Sequence, residues 1–262
     1  MTSSRILSHP PFFHRIGSVW YRHMRVYTKY LITNGFPPFV EPLIFLAAIG
    51  VGLGKYVTEM GGIPYIKFLA SGLLVTAAMF TAAFECSYGT FIRLEFDKAY
   101  DGMLAAPITV HDLLMGEILW AGSKGLFFST AVLTVISIFG ILSPKLFLVV
   151  PFIGFLTGAM FATIGLLVTS IVKNIHQFNF FFTGFISPMF FFSGIVFSLD
   201  NLPLFMKTIA EVLPLTHTVR LVRACCISGY SYHVFIDLGY IIIITLGIGA
   251  LAIRRLKRKL ID

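Results

Sequence analysis

Charged residues are scarce in this sequence, and their scarcity excludes a soluble globular protein. Only 12% of the 262 residues are Asp, Glu, Lys or Arg, whereas 57% are hydrophobic and the mean hydropathy is +0.87. Soluble domains carry about 25% charged residues. Because this chain has more apolar surface than a soluble core of its length needs, we predict an integral membrane protein.

Cysteine is also rare, which excludes a disulfide framework. Of the three cysteines, Cys86 lies inside an apolar run, while Cys225 and Cys226 are sequence neighbours, which rarely bridge each other. No other His or Cys accompanies His176 at metal-ligand spacing, so no metal site is predicted. The N-terminal stretch MTSSRILSHPPFFHRIGSVW has no uninterrupted apolar run before a small-residue cleavage site, so we expect no removable signal peptide.

Motifs for nucleotide binding and catalysis are missing as well. The chain has no G-x-x-x-x-G-K-[ST] loop and no soluble domain that could carry one, so no cofactor is expected on it. Glu85, Lys124 and His176 are too scattered along the predicted topology to form an acid–base set, which makes an intramembrane enzyme the weaker alternative. A passive channel would need a polar filter motif, which the sequence lacks.

Long apolar runs predict six membrane-spanning helices. About 20 apolar residues are needed to cross roughly 30 Å of hydrocarbon. The six runs cover residues 30–53, 66–88, 113–141, 146–172, 178–197 and 235–253. We therefore predict an all-α integral membrane protein with a single transmembrane domain. Its parts are a cytoplasmic or interfacial helix (1–29), a six-span core (30–253) and a basic cytoplasmic tail (254–262).

Membrane topology, rather than nucleic-acid binding, accounts for the net charge of +8. Lys and Arg collect in cytoplasmic segments, and an even number of spans places both termini on one side. With cytoplasmic termini, thirteen basic residues lie inside, six lie outside and Lys124 lies within a span. The outside set is Lys55, Lys67, Lys145, Lys207, Arg220 and Arg223. We predict a multi-pass membrane protein with both termini in the cytoplasm and no nucleic-acid partner.

A basic amphipathic segment precedes the first span. Its polar positions recur at steps of three and four: Arg15, Ser18, Arg22, Arg25 and Lys29. The apolar positions Ile16, Val19, Trp20 and Tyr27 fall on another side. This pattern is typical of a helix in the membrane interface, although a cytoplasmic extension of the first span fits it equally. Farther on, Pro37 and Pro38 predict a break in the first span.

The charged segment FDKAYDGMLAAPITVHD separates the second and third runs. One helical face is formed by Phe96, Tyr100, Met103 and Leu104. Asp97 and Asp101 lie away from that face, and Pro107 ends the short helix. Thr109 and Asp112 have the spacing of a capping box at the start of the third span. The predicted topology places this segment in the cytoplasm, where it either contacts a partner or folds back on its own spans.

Ionisable residues inside the predicted spans are candidates for a substrate path, because unpaired charge in a membrane is costly. Glu85 and Lys124 either line the path or pair structurally, with each other or with Glu117, and structural pairing is favoured. Glu41 lies among prolines of the first span. It either accepts hydrogen bonds from freed backbone amides or faces the path.

Between the fifth and sixth runs the chain is too polar to span a membrane. Apolar positions at helical spacing, interrupted by Pro214, predict a helical hairpin that is re-entrant or lies at the outer interface. His217 and Arg220 could meet an anionic substrate there, although a plain interfacial helix is the favoured explanation. In the Phe-rich fifth run, Phe181 and Phe191 are candidates for stacking on a sugar ring or an acyl chain, while most of its Phe residues are expected in packing or lipid contacts.

The order of these elements resembles that of the type-2 ABC exporter permeases. Several stretches are similar to the nodulation-factor exporter permeases within that family: FVEPLIFLAAIGVGLG, AMFTAAFECSYGTFIRLEFDKAYDGMLAAPITVHDLLMGEILWAGSKG and LPLTHTVRLVRA. The similarity extends from about Pro38 to Ala224 and so covers most of the chain.

The resemblance implies a function and a set of partners. Two copies of such a permease form the pathway, and each docks on a separate ATPase subunit that binds ATP and Mg²⁺. The segment from Phe96 to Pro107 would be the coupling helix that contacts the ATPase. The implied cargo is a lipid-linked or amphiphilic saccharide, with hydrophobic drugs or lipids as the alternative. The expected partners are therefore two ATPase subunits, a second copy of the chain and membrane lipids.

Overall fold

Eleven α-helices make up most of the chain in a computed structural model that describes residues 10–142, 148–228 and 233–261. They are α1 (Phe12–Lys29), α2 (Leu31–Phe45), α3 (Tyr65–Phe84), α4 (Ala99–Leu104), α5 (Val110–Ile138), α6 (Val149–Ile171), α7 (Phe178–Phe181), α8 (Ser187–Phe192), α9 (Leu204–Val212), α10 (Pro214–Arg223) and α11 (His233–Ile261). π-Helical turns extend several of them: Leu46–Val51, Glu85–Gly89, Ile92–Phe96, Phe182–Ile186 and Ala224–Ser228. The predicted start of the fourth span at residue 146, and Lys145 of the charge count, lie outside the described residues.

Five helices within the described ranges are long and apolar enough to cross a membrane. They are Leu31–Val51, Tyr65–Phe96, Val110–Ile138, Val149–Ile171 and His233–Leu260. The predicted fifth run is helical only from Phe178 to Phe192, because Gly194 takes the positive φ (78°) at which helices commonly end. A helix of that length reaches about 22 Å, less than the thickness of the hydrocarbon core. The all-α membrane fold is confirmed, and the count of six spans is not.

The predicted break at Pro37 and Pro38 is wrong, because α2 continues through both prolines and through Pro42. Proline's fixed φ suits a helix, but its missing N–H deprives the carbonyl four residues earlier of a donor. The carbonyls affected by the first two prolines belong to Thr33 and Asn34, which line a cavity. The helix can therefore continue, because these carbonyls are not enclosed in an apolar core.

Three helices, α3, α5 and α6, form the centre of the bundle, and glycine lets two of them cross closely. A Cβ atom built on Gly125 of α5 would lie 2.4 Å from the carbonyl oxygen of Gly154 and 3.1 Å from Cα of Gly158, both in α6. Small residues allow such backbone contact between helices in membranes. Around this centre, α1 packs on α5, α11 packs on α6, and α10 packs on α3 and α11.

The two ends of the bundle carry different elements. One end, called the α4 end, holds α4 and the C-terminal part of α11. Lys259 of α11 forms an ion pair there with Glu95 at 3.0 Å. The other end, called the hairpin end, holds α9, α10 and two short antiparallel strands, β1 (Glu59–Met60) and β2 (Ile63–Pro64). The strands are joined by Gly61 and Gly62 at φ of 61° and 75°, the positive values that a tight two-residue turn requires.

Because α5 and α6 cross closely at Gly125, replacing a glycine by alanine should change the free energy of unfolding in opposite directions at Gly125 and at the exposed Gly247. Gly125→Ala should lower the free energy of unfolding by about 1–3 kcal/mol, because the added methyl group overlaps the α6 backbone. In the control Gly247→Ala, the Cβ of this exposed α11 residue meets nothing within 4 Å. That change should raise the free energy by up to about 1 kcal/mol. Unfolding in detergent monitored by circular dichroism measures both, and equal shifts would contradict the close crossing.

Candidate functional site

A cavity of about 690 Å³ opens between α1, α2, α3 and α5 towards the α4 end. Its aromatic lining consists of Tyr27, Phe45, Phe80, Phe84, Trp120 and Phe190. Its charged lining consists of three cations and three anions: Arg22, Arg93, Lys124, Glu41, Glu85 and Asp97. The volume is within the usual range for sites that bind small molecules. The cavity brings together three of the residues predicted for the substrate path, since Glu41, Glu85 and Lys124 all line it.

Glu85 lies between two cations in the wall of this cavity. Its Oε2 accepts a hydrogen bond from Lys124 Nζ at 2.7 Å, and its Oε1 accepts one from Arg93 Nη1 at 2.7 Å. Lys124 Nζ also lies 4.7 Å from the centre of the Tyr27 ring, a cation–π distance. The predicted pairing of Glu85 with Lys124 is therefore confirmed, whereas Arg93 was not expected in this cluster.

The π-helical turns explain why Arg93 joins a residue eight positions earlier. Eight residues of α-helix rotate by about 80° more than two full turns. A π-helical turn takes up an extra residue, and two of them, Glu85–Gly89 and Ile92–Phe96, reduce this offset. The sequence places Arg93 beyond the second span, but the helix continues to Phe96. The signal in the sequence that could have predicted this pair is the opposite charge of Glu85 and Arg93, eight residues apart.

Glu117 of α5 is the most connected carboxylate of the α4 end. Its side chain is 1% exposed and accepts hydrogen bonds from Thr90 Oγ1 at 2.6 Å and Arg93 Nε at 3.1 Å. Tyr100 of α4 donates its hydroxyl hydrogen to the same carboxylate. His23 Nε2 of α1 lies 3.4 Å from Glu117 Oε1. Four elements, namely α1, the π-helical extension of α3, α4 and α5, thus meet at one side chain.

The basic N-terminal helix packs against α5 through its apolar side. Ile16, Val19 and His23 are buried, and the backbone breaks after α1 at Tyr30 (φ −125°, ψ 38°), so α1 is not a straight extension of α2. Burial lowers the pKa of His23 to about 4, so its imidazole is neutral at pH 7. The position of α1 in a membrane interface stays a prediction.

The four predicted residues of α1 make separate contacts. Arg15 pairs with Asp112 at 3.0 Å, and Trp20 Nε1 donates to Ser123 Oγ at 3.0 Å. Arg22 lines the cavity. Arg25 is exposed, with its guanidinium 5.9 Å from the centre of the Tyr21 ring.

The predicted helix of the charged segment begins later than expected. Lys98 takes a positive φ of 51° and redirects the chain, so Phe96 ends the extension of α3 and only Ala99–Leu104 form α4. Tyr100 is fully buried, and Met103 and Leu104 pack against the core. Of the residues predicted to contact the ATPase, Phe96, Asp97, Asp101 and Pro107 are exposed. The capping box is confirmed, because Thr109 and Asp112 exchange the expected hydrogen bonds at the start of α5.

At the hairpin end, the predicted residues His217 and Arg220 are held by acceptors of neighbouring helices. Both ring nitrogens of His217 face acceptors, Asp237 Oδ1 at 2.7 Å and the Glu211 carbonyl at 2.9 Å. Arg220 donates to the carboxylates of Glu211 and Asp237, at 2.8 Å and 2.6 Å, and these hydrogen bonds raise its pKa above the ordinary value. The sequence prediction missed Asp237, which binds α10 to α11.

The remaining predicted residues lie apart. Phe181 is buried and Phe191 is about half exposed, and neither lines the cavity that holds Glu85. Across the part of the chain that the structure describes, no group of three His, Cys, Asp or Glu side chains could hold a metal ion.

Comparison with known proteins identifies the family. Residues 14–226 match the family described as ABC-2 type transporter. The chain belongs to this family. It is 34% identical to nodulation protein J of Sinorhizobium fredii over 83% of this chain and 84% of that protein. Identity to nodulation protein J of Rhizobium leguminosarum bv. viciae is 33% over 92% and 95%. Identity to the inner membrane transport permease YadH of Escherichia coli is 24% over 83% and 81%.

Membership of the ABC-2 type transporter family indicates that the cavity and the α4 end belong to the membrane subunit of a transporter. The family is one of permease subunits that lack ATPase motifs, and it implies an ATPase subunit as partner. The five long apolar helices agree with a multi-pass membrane protein of this family. The resemblance to nodulation-factor exporter permeases is likewise confirmed.

The cavity cluster of this ABC-2 type chain predicts a non-additive effect on stability. Lys124→Gln should lower the free energy of unfolding by about 1–3 kcal/mol, because the largely buried Glu85 loses one of its two charged donors and keeps only Arg93. The double variant Glu85→Gln/Lys124→Gln should lose less than the sum of the two single variants, because it leaves no unpaired charge at this pair. Denaturant unfolding in detergent measures all three. The exposed Lys55→Gln is the control and should change stability by less than about 0.5 kcal/mol.

His23 predicts a loss of stability in mild acid. Its pKa is about 4 in the folded chain and 6.5 as the ordinary value, so between these values the unfolded chain binds more protons. Stability is therefore complete above pH 6.5 and falls as the pH decreases, by about 2 kcal/mol between pH 7 and 5. Denaturant unfolding at pH 7 and at pH 5 should show this decrease in the parent. In His23→Phe, the part of the decrease that is due to His23 should be absent. His14→Phe, an exposed histidine of the same helix, should behave like the parent.

Proposed function

We propose that the chain is the membrane-spanning subunit of an ATP-driven exporter. Its cargo is a lipid-linked or amphiphilic saccharide, which it moves out across the bacterial cytoplasmic membrane. The observation that carries the proposal is the cavity with both aromatic and charged lining, whose charged wall connects to α4 through Glu117.

The lining of the cavity supports an amphiphilic cargo. Aromatic rings provide flat apolar surfaces for an acyl chain or the face of a sugar. The hydroxyl of Tyr27 is buried beside the cavity and has no hydrogen-bond partner among the described residues. Buried polar groups are normally hydrogen-bonded, so this hydroxyl is available to a polar head group. The equal number of cationic and anionic residues favours an uncharged head group over a polyanion.

The energy comes from a separate ATPase subunit, which binds ATP and Mg²⁺. The exposed positions around α4 form the surface proposed for its docking: Phe96, Asp97, Asp101 and Pro107. Two exposed carboxylates, Asp97 before α4 and Asp101 within it, lie near the exposed ring of Phe96 and offer both charge and apolar area to a partner. Because Tyr100, Met103 and Leu104 face inward, the docking surface consists of the exposed side of α4 together with exposed residues that precede and follow it.

The pathway is formed by two copies of the chain with two ATPase subunits in a membrane. The segment α2 buries few of its residues, and it exposes Ile32, Phe36 and Ile44. This apolar surface suits the second copy or lipid. Both termini are proposed to be cytoplasmic, together with α4, and the hairpin end extracytoplasmic. In that topology Phe178–Phe192 is a short fifth span and the whole chain is one transmembrane domain.

The relatives add support for the cargo class. The proteins named nodulation protein J share 33–34% identity with this chain over most of their length. We extend to this chain the export of an amphiphilic saccharide that its resemblance to nodulation-factor exporter permeases implies.

The docking surface predicts the effect of one charge reversal. Asp101→Lys should reduce co-purification of the ATPase subunit at least about tenfold, because like-charge contacts in an interface cost several kcal/mol. Cells carrying this variant should retain the lipid-linked saccharide that the parent exports, measured by mass spectrometry of cell extracts. The control Glu59→Lys makes the same charge change at an exposed position of the hairpin end and should do neither. An unmodified chain that binds no ATPase would refute the proposed function.

A further inference from the structure

An unbroken series of hydrogen bonds connects α4 with the cavity. Tyr100 of α4 donates to Glu117, and Arg93 Nε donates to the same carboxylate at 3.1 Å. Arg93 Nη1 then donates to Glu85 at 2.7 Å, and Lys124 donates to the other Glu85 oxygen at 2.7 Å. Arg93, Glu85 and Lys124 line the cavity. The series therefore begins on the proposed docking helix and ends at the proposed cargo site.

Tyr100 is held in this series by its hydroxyl group. The side chain is fully buried, and burial raises the pKa of Tyr100 well above its usual value, so the phenol keeps its proton and is the donor. A buried hydroxyl without an acceptor is costly, as is a buried carboxylate that loses a donor. The orientation of Tyr100 and that of Glu117 therefore depend on each other.

α4 has few other polar connections to the spans. Among the side-chain hydrogen bonds of the described residues, that of Tyr100 is the one that joins Ala99–Leu104 to another helix. The contacts of Met103 and Leu104 with the core are apolar and not directional. A displacement of α4 would therefore act on the spans chiefly through the directional hydrogen bond from Tyr100 to Glu117.

We propose that Tyr100 is a positioning residue that couples α4 to the cavity through Glu117 and Arg93. When α4 moves, Glu117 loses or redirects a donor, and the rigid guanidinium fork of Arg93 carries the change to Glu85. Glu85 is the carboxylate that holds Lys124, so the charged wall of the cavity rearranges. The inference rests on the proposed function, because it assigns the displacement of α4 to the ATPase partner.

The test follows the cavity while the ATPase changes state. Thr33 of α2 is exposed and lines the cavity, so Thr33→Cys is labelled with a maleimide in the complex with its ATPase. The rate is measured without nucleotide and after trapping with ATP and vanadate, and labelling of the native cysteines is subtracted with the parent chain. Trapping should change the rate several-fold with Tyr100 present. In Tyr100→Phe that nucleotide-dependent change should fall at least about fivefold, while ATPase binding and ATP hydrolysis persist.

Two further variants separate coupling from packing. Arg93→Lys keeps the charge but removes the fork that joins Glu117 to Glu85. It should also abolish the nucleotide-dependent change, and adding Tyr100→Phe should have no further effect, because both interrupt one series. Met103→Leu keeps the apolar packing of α4, makes no change to the hydrogen bonds and should behave like Thr33→Cys alone. Because Arg93 is largely buried in the cavity wall and is not one of the exposed docking positions, it also provides the test if Tyr100→Phe does not assemble.

The outcomes distinguish this inference from the proposed function. If Tyr100→Phe and Arg93→Lys respond to nucleotide as the parent does, the coupling role of Tyr100 is wrong while the proposed function stands. If Thr33→Cys alone binds no ATPase, or shows no response to trapped nucleotide, the proposed function fails and the coupling role fails with it.

Discussion

The arrangement of the α4 end follows from the burial of one carboxylate, Glu117. Moving a charge out of water is unfavourable unless hydrogen bonds and an opposite charge replace the lost hydration. Glu117 is 1% exposed and belongs to the central helix α5. Its donors therefore have to come from other elements, and Thr90 and Arg93 of the π-helical extension of α3 and Tyr100 of α4 supply them. The requirement of one side chain thus fixes how α4 and this extension meet α5.

The same requirement shapes the cavity. Arg93 satisfies Glu117 with one nitrogen and Glu85 with another, so the second carboxylate and its partner Lys124 are drawn into the same wall. On the opposite side, α2 has three prolines and buries little of its surface. A helix with freed carbonyls packs poorly against an apolar core. A cavity with aromatic and charged lining remains between the charged wall and α2.

At the hairpin end, Asp237 has a corresponding role. This carboxylate lies in α11 and receives hydrogen bonds from His217 and Arg220 of α10. The ring of His217 also stacks on Tyr240, with 3.8 Å between the ring centres. These contacts attach the short helices to a long one that is otherwise largely exposed. Both ends are therefore fixed by a buried carboxylate that needs donors from a neighbouring helix.

The sequence alone determined the fold class, three of the long helices to within about three residues at each end, the capping box at Thr109 and the pairing of Glu85 with Lys124. These follow from local spacing and from the cost of charge in a membrane. Only the tertiary structure decided that Arg93 and Tyr100 join Glu117, that α2 continues through Pro37, and that the inner face of α4 is the apolar one. Local periodicity defines the faces of a helix but not its neighbours. The partner of a buried charge depends on which helices pack together and on π-helical turns, which the spacing of residues does not reveal.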